Sequence, residues 1–172
     1  MSAKLYIEGG GDSKELHARC REGFRRLLER LGFSGRMPRL VACGSRNDAF
    51  DDFSTAHLNA QADEYIALLV DSEASVADVE QTWTHLANQD GWSKPPGADD
   101  EQVLLMTTCM ETWIVVDRPT LRKHFGNCLN ENALPGDLDI ESKSRDAILN
   151  ALIQATRACK LDMPKGRRPS RS

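Results

Sequence analysis

The stretch YIALLVDSE, residues 65–73, decides the fold. Its first six residues, Tyr65–Val70, run without a charged or strongly polar break and end on Asp71. A strand with one wet face alternates apolar and polar residues. This one does not, so it reads as a strand buried on both faces, as in a parallel sheet between helix layers. The same grammar repeats on either side. Upstream, Lys4–Ile7 is a short strand that runs into Glu8-Gly9-Gly10-Gly11-Asp12. Ser13 is placed as an N-cap, and apolar residues at 16, 20, 24, 27, 28 and 31 trace one helix face, stopped by Gly32. Arg39–Cys43 reads as a strand closed by Gly44-Ser45, and 47–60 as a weaker helix. Downstream, the pattern predicts a helix over 75–88, a loop over 91–100 and a strand over 102–108. Short helices follow over 110–116 and 119–125, then an irregular 127–140 and a helix over 142–159. Strand and helix alternate four times. The expected fold is therefore α/β: a parallel sheet of about four strands flanked by helices, with a helical C-terminal extension.

Composition narrows the class. The chain has 172 residues, 40% apolar and 28% charged, which is one domain or little more. No run of about 18 apolar residues exists, so no membrane span is expected. The opening MSAKLYIEGGG lacks the apolar core of an export signal. Five cysteines, at 20, 43, 109, 128 and 159, form no CxxC pair. They read as reduced thiols of a cytoplasmic protein. The net charge of −4 hides an asymmetry. Residues 14–46 carry nine Lys/Arg against three Asp/Glu, and 47–101 carry one Lys against thirteen acids. Residues 157–172 are basic again, six to one. Basic flanks around an acidic middle suit a protein that holds a polyanion and a cation, and equally suit solvated helix faces.

In parallel sheets, ligands gather beyond the carboxyl ends of the strands. Glu8 follows the first strand, Gly44-Ser45-Arg46 the second, Asp71 and Glu73 the third, and Glu111 the fourth. Three of four strand ends thus deliver acids to one edge. Asp71 and Glu73 stand two apart, on one side of an extended segment, and can share a hard divalent cation; a helix-capping role is the alternative. Crowded carboxylates repel, and Mg²⁺ or Mn²⁺ is the simplest compensation for oxygen-only ligands. The glycine run is neither a P-loop nor a dinucleotide fingerprint: no GK[ST] follows, and Lys14 stands where a third spaced glycine belongs. Arg46, Lys14, Arg19 and Arg26 are the candidate phosphate-binding cations. Arg19 and Arg26 lie two helical turns apart on one face, which a solvated surface also explains. His17, His57, His85 and His124 have no metal-ligand spacing, and Trp113 is expected in the core.

Ile7-Glu8-Gly9-Gly10-Gly11-Asp12 followed by Val70-Asp71-Ser72-Glu73 resembles the Toprim pattern, with Glu73 where that pattern has an aspartate. The chain is similar to small Toprim-like proteins related to the OLD and RloB-type nucleases of bacterial defence systems. The shared motifs are EGGGDSK at 8–14, RCREGF at 19–24, ACGSR at 42–46, DGW at 90–92 and METW at 110–113, with Lys165-Gly166 a late match. The resemblance implies a Rossmann-like Toprim domain over 1–126, an irregular segment and helix over 127–162, and a basic tail over 163–172. It implies a Mg²⁺- or Mn²⁺-dependent endonuclease acting on DNA or RNA, as the effector of an anti-phage system with a partner ATPase. Asp71 and Glu73 would hold the metal, Glu8 would be a ligand or general acid–base, and Glu111 would serve a second cation or a structural role. The alternative is a non-cleaving Toprim-like module that docks on the ATPase. A primase or topoisomerase role is disfavoured, because no zinc-finger cysteines and no tyrosine near the acids are present.

Overall fold

The computed structural model describes residues 2–136 and 140–159. It divides into two compact units, Met1–Met110 and Glu111–Ser172. The boundary expected from sequence lay at 126. The expected tail at 163–172, with Lys165 and Gly166, lies outside the described residues, as do 160–162.

The first unit holds a four-stranded sheet: β1 (Ser2–Glu8), β2 (Arg39–Gly44), β3 (Glu64–Asp71) and β4 (Val103–Met106). All neighbours pair in parallel, in the order β2-β1-β3-β4. The helices are α1 (Lys14–Leu28), α2 (Arg46–Leu58) and α3 (Thr82–Asp90). β3 is buried on both faces, as its unbroken apolar run requires. Ile66, Leu68 and Val70 join Phe53 of α2 and Trp83 and Leu86 of α3 in one core. Ala67 and Leu69 join Leu5, Ile7 and Phe24 of α1 in the other. The α/β architecture read from the sequence is the one observed. The order reverses at β1, where the chain steps first to β2 and then to β3. Such a reversal opens a crevice beyond the strand ends.

Two helices depart from expectation. Residues 75–81 are not helical, and α3 begins at Thr82. Asp78 accounts for this: its Oδ1 accepts from Glu80 N (2.9 Å), and its Oδ2 accepts from the Gln81 amide (2.8 Å). A side chain that turns on its own backbone offers an alternative to the helix. Val79, inside the expected helix, is 74% exposed. At the end of α1, the chain widens into a π turn, Glu29–Phe33, with Gly32 at φ 87.

In the second unit lie most of α4 (Met110–Val116), α5 (Arg118–Phe125) and α6 (Arg145–Thr156). α5 and α6 are capped by Asp117 and Ser144. Trp113 is exposed rather than in the core, because Thr112 and Val115, three apart, are the buried positions of α4. The reading of five free thiols is also corrected. Cys128 and Cys159 form a disulfide with Cα atoms 5.1 Å apart. The chain after α6 returns beside the turn that holds Cys128, where Asn130 N donates to Ala155 O at 2.8 Å. Cys20, Cys43 and Cys109 take no part in a disulfide. Burial pushes the Cys43 thiol up to about 12. At pH 8 its thiolate fraction is then about one in 10⁴, and only the thiolate alkylates. Iodoacetamide on the native protein should label half-buried Cys20 first, and Cys43 and Cys109 only after unfolding. Mass spectrometry reads the order.

Candidate metal centre at the carboxyl edge of the sheet

β1 and β3 are neighbours, so their ends deliver Glu8 and Asp71 side by side. A register shift between Ile7 and Glu8 pairs Glu8 with Gly44. Gly9 and Gly44 then exchange two backbone hydrogen bonds, each 2.9 Å. Gly44 has φ +85, and a side chain there would meet the Gly11 carbonyl at 2.8 Å. Only glycine permits this approach. His17 Nε2 lies 2.6 Å from the same carbonyl oxygen and anchors the glycine loop to α1.

Beyond β3, Asp71 is buried, and its Oδ1 accepts from Met110 N at 2.8 Å. Ser72 is buried too, with its N–H donated to Met106 O (3.0 Å) and its hydroxyl to Ala74 O (2.6 Å). Glu73 adopts φ 60, the left-handed region that few side-chain-bearing residues occupy. Its N–H donates to Thr108 O at 2.9 Å. Asp71 and Glu73 therefore do not converge by the alternation of a continuing strand. The strand ends at Asp71, and a tight turn brings Glu73 back. His85 of α3 bonds to the Ser72 carbonyl at 2.8 Å and steadies this turn.

The result is a cluster of Glu8, Asp71 and Glu73 in which one oxygen from each lies within 4.8 Å of the others. Hard divalent cations bind oxygen at about 2.0–2.6 Å, which places opposite ligands about 4–5 Å apart. The three carboxylates fit one such sphere, and an oxygen-only set suits Mg²⁺, Mn²⁺ or Ca²⁺. Glu111 lies in the first turn of α4, belongs to the second unit and is not part of this cluster.

Of the cations read as phosphate ligands, Arg46 lies beside the cluster and Lys14, Arg19 and Arg26 lie on α1. Arg46 is not open to solvent: its side chain is 14% exposed. Its Nε and NH2 reach Asp90 at 2.8 and 2.7 Å, and its NH1 reaches Glu8 Oε2 at 3.0 Å and the Asp71 carbonyl. The guanidinium lies 4.9 Å from the Trp92 ring centroid. Burial would lower its pKa, but the Asp90 and Glu8 carboxylates outweigh burial and raise it. Arg19 pairs with Glu15 and Arg26 with Glu22 along the exposed face of α1. Hydrogen bonds from Arg25 and Arg26 hold the Glu22 carboxyl down to about 2. Lys14 opens α1, exposed and without an ion pair among the described residues. Asp90 and Trp92 escaped the sequence reading, although DGW was singled out. Their signal is long-range: Arg46 and Asp90 meet across 44 residues.

The fold and site thus define a parallel α/β domain with a three-carboxylate cluster where its strand order reverses. The chain belongs to the DUF4276 family, a domain of unknown function, whose model matches residues 7–168. No curated protein and no solved structure matches it. Among the described residues, no helix is long and apolar enough to cross a membrane.

Proposed function

We propose that the protein is a Toprim-like nuclease that hydrolyses nucleic-acid phosphodiesters with Mg²⁺ or Mn²⁺ held by Glu8, Asp71 and Glu73. One observation carries the reading: three carboxylates from adjacent parallel strand ends lie within 4.8 Å of one another. A bound cation would stabilise charge on the phosphoryl oxygens and make a water more acidic. The chain's own residues do the rest. Asp71 is fixed by the Met110 N–H, and Glu8 by the Asp71 N–H at 3.0 Å. Glu8, with one oxygen held by Asp71 N and Arg46, offers its other oxygen to the cation or to a proton. The resemblance of EGGGDSK, ACGSR and METW to motifs of defence nucleases is the ground for extending the proposal to an anti-phage effector that works with an ATPase. The proposed setting is the cytoplasm, a compartment where disulfides such as Cys128–Cys159 are rare. A thiol count on protein trapped in intact cells reads the state of this pair.

The test is cleavage of plasmid, single-stranded DNA and tRNA with Mn²⁺, with and without the ATPase. Cutting that EDTA abolishes is expected. If all three stay intact under every condition while Mn²⁺ binds, the protein is the docking module instead. Phosphate binding is assigned to Lys14 rather than to the paired arginines of α1. Lys14→Ala should flatten the log K against log salt slope by about 0.7–0.9, the share of one phosphate contact. Arg26→Ala should leave the slope unchanged.

A further inference from the structure

We infer that Arg46 is a positioning residue for the carboxylate of Glu8, held in place by Asp90 and Trp92. The inference rests on the metal-centre reading above and assigns a role that reading leaves out. Arg46 spends two of its N–H groups on Asp90, in a forked pair with both carboxylate oxygens. Such planar pairs fix orientation as well as charge. Trp92 stands beside the guanidinium, and Phe50, one turn after Arg46 on α2, stacks on Trp92 at 4.4 Å with 8° between the rings. The remaining arm, NH1, reaches the Asp71 carbonyl and Glu8 Oε2. Glu8 Oε2 also accepts the Asp71 N–H. One oxygen of Glu8 is therefore saturated by two donors. Oε1, with no hydrogen bond among the described residues, is left for a ligand. Arg46 ties the ends of β1 and β3 together and sets which Glu8 oxygen is presented.

This geometry opposes two other roles. A phosphate ligand needs free donors and exposure, and Arg46 is 14% exposed with four hydrogen bonds from its five N–H donors. A counter-ion for the cluster would have its charge unspent, and Arg46 is already matched by Asp90.

The test removes orientation without changing charge. Arg46→Met/Asp90→Leu loses one positive and one negative group together. Replacing a buried pair by apolar residues of similar size is often near neutral for stability. Mn²⁺ binding is read by calorimetry, folding by the melting temperature of metal-free protein, and phosphate contact by the salt slope for DNA binding in Ca²⁺. The expected result is Mn²⁺ affinity lowered about 10- to 100-fold, the usual loss when a partner that orients a metal ligand is removed. Melting temperature and salt slope should stay near wild type. Equal or tighter Mn²⁺ binding by the folded variant overturns the role of Arg46 and leaves the metal centre standing. A salt slope reduced by about 0.7–0.9 makes Arg46 a phosphate ligand and also overturns it. Wild-type protein that binds no Mn²⁺ removes the metal centre itself, and this role with it. Should the double variant not fold, Arg46→Lys takes its place. It keeps the charge but cannot fork between Asp90 and Glu8. A severalfold loss of Mn²⁺ affinity is expected, and no loss overturns the inference.

Discussion

Glu8→Gln should lower cleavage by at least about 10²- to 10⁴-fold, the contribution of a lost general acid–base group, while the protein melts near the wild-type temperature. The structure explains why the two effects separate. Glu8 Oε2 accepts from Asp71 N and Arg46 NH1, both at 3.0 Å. A glutamine carbonyl can take that place and accept both bonds. Its amide NH₂ then stands where Oε1 stood, and an NH₂ can neither accept a proton at working pH nor ligate a cation well. Arg46 keeps its two bonds to Asp90, so no buried charge is left alone. Loss of activity at unchanged melting temperature supports catalysis. A variant that cuts at the wild-type rate shows that Glu8 moves no proton. If the wild type needs the ATPase to cut, both proteins are compared in its presence.

Sequence periodicity was enough for the architecture because the decisive signals are local. Tyr65–Val70 could only be a strand covered on both faces, and Ser13 and the spacing after it marked a helix start. Ser13 does cap α1, accepting from Leu16 N at 3.2 Å. Local signals failed where side chains compete with the backbone. A helix was expected from residue 75, and the Asp78 bonds hold the chain in a turn at 78–81 instead. The pairing order of the strands is not written in any one segment, because it depends on which helix covers which face.

The site shows the same division. Glu8, Asp71 and Glu73 were legible as acids after strands, and the parallel sheet brings them together. The mechanism of their approach was not legible. Two-residue alternation was expected for Asp71 and Glu73, and a left-handed Glu73 performs the task instead. Arg46 was found as a strand-end cation, but its partners Asp90 and Glu8 were not foreseen. Chemistry at a strand end can be inferred from position. Whether a cation there faces a ligand or its own protein depends on residues far away in sequence. His17 and His85 make the same point. Neither has metal-ligand spacing, yet each bonds to a carbonyl in a loop that carries the cluster.

Asp71→Asn/Glu73→Gln should abolish Mn²⁺ binding, a loss of more than about 100-fold, beyond what removing a mere orienting partner costs. Both changes are isosteric. The carbonyl of the introduced asparagine can still accept the Met110 N–H that Asp71 Oδ1 accepts now at 2.8 Å. The backbone bonds of the turn, Ser72 N to Met106 O and Glu73 N to Thr108 O, involve no carboxylate and persist. What disappears is two negative charges next to Glu8. A hard dication held by oxygen ligands depends on anionic donors, because neutral amide oxygens repay little of its dehydration. Calorimetry on wild type and variant settles the matter without any substrate or partner. Binding lost with the fold intact, by circular dichroism, supports the cluster as the metal centre. Equal binding by both places the cation elsewhere and removes the physical ground for nuclease chemistry at this edge of the sheet. Each acid alone should lose less than the pair. The two act on one ion, so their effects should not add, and a single-variant series measures the coupling. A cation shared by Asp71 and Glu73 requires that coupling; two carboxylates that merely line the crevice would show none.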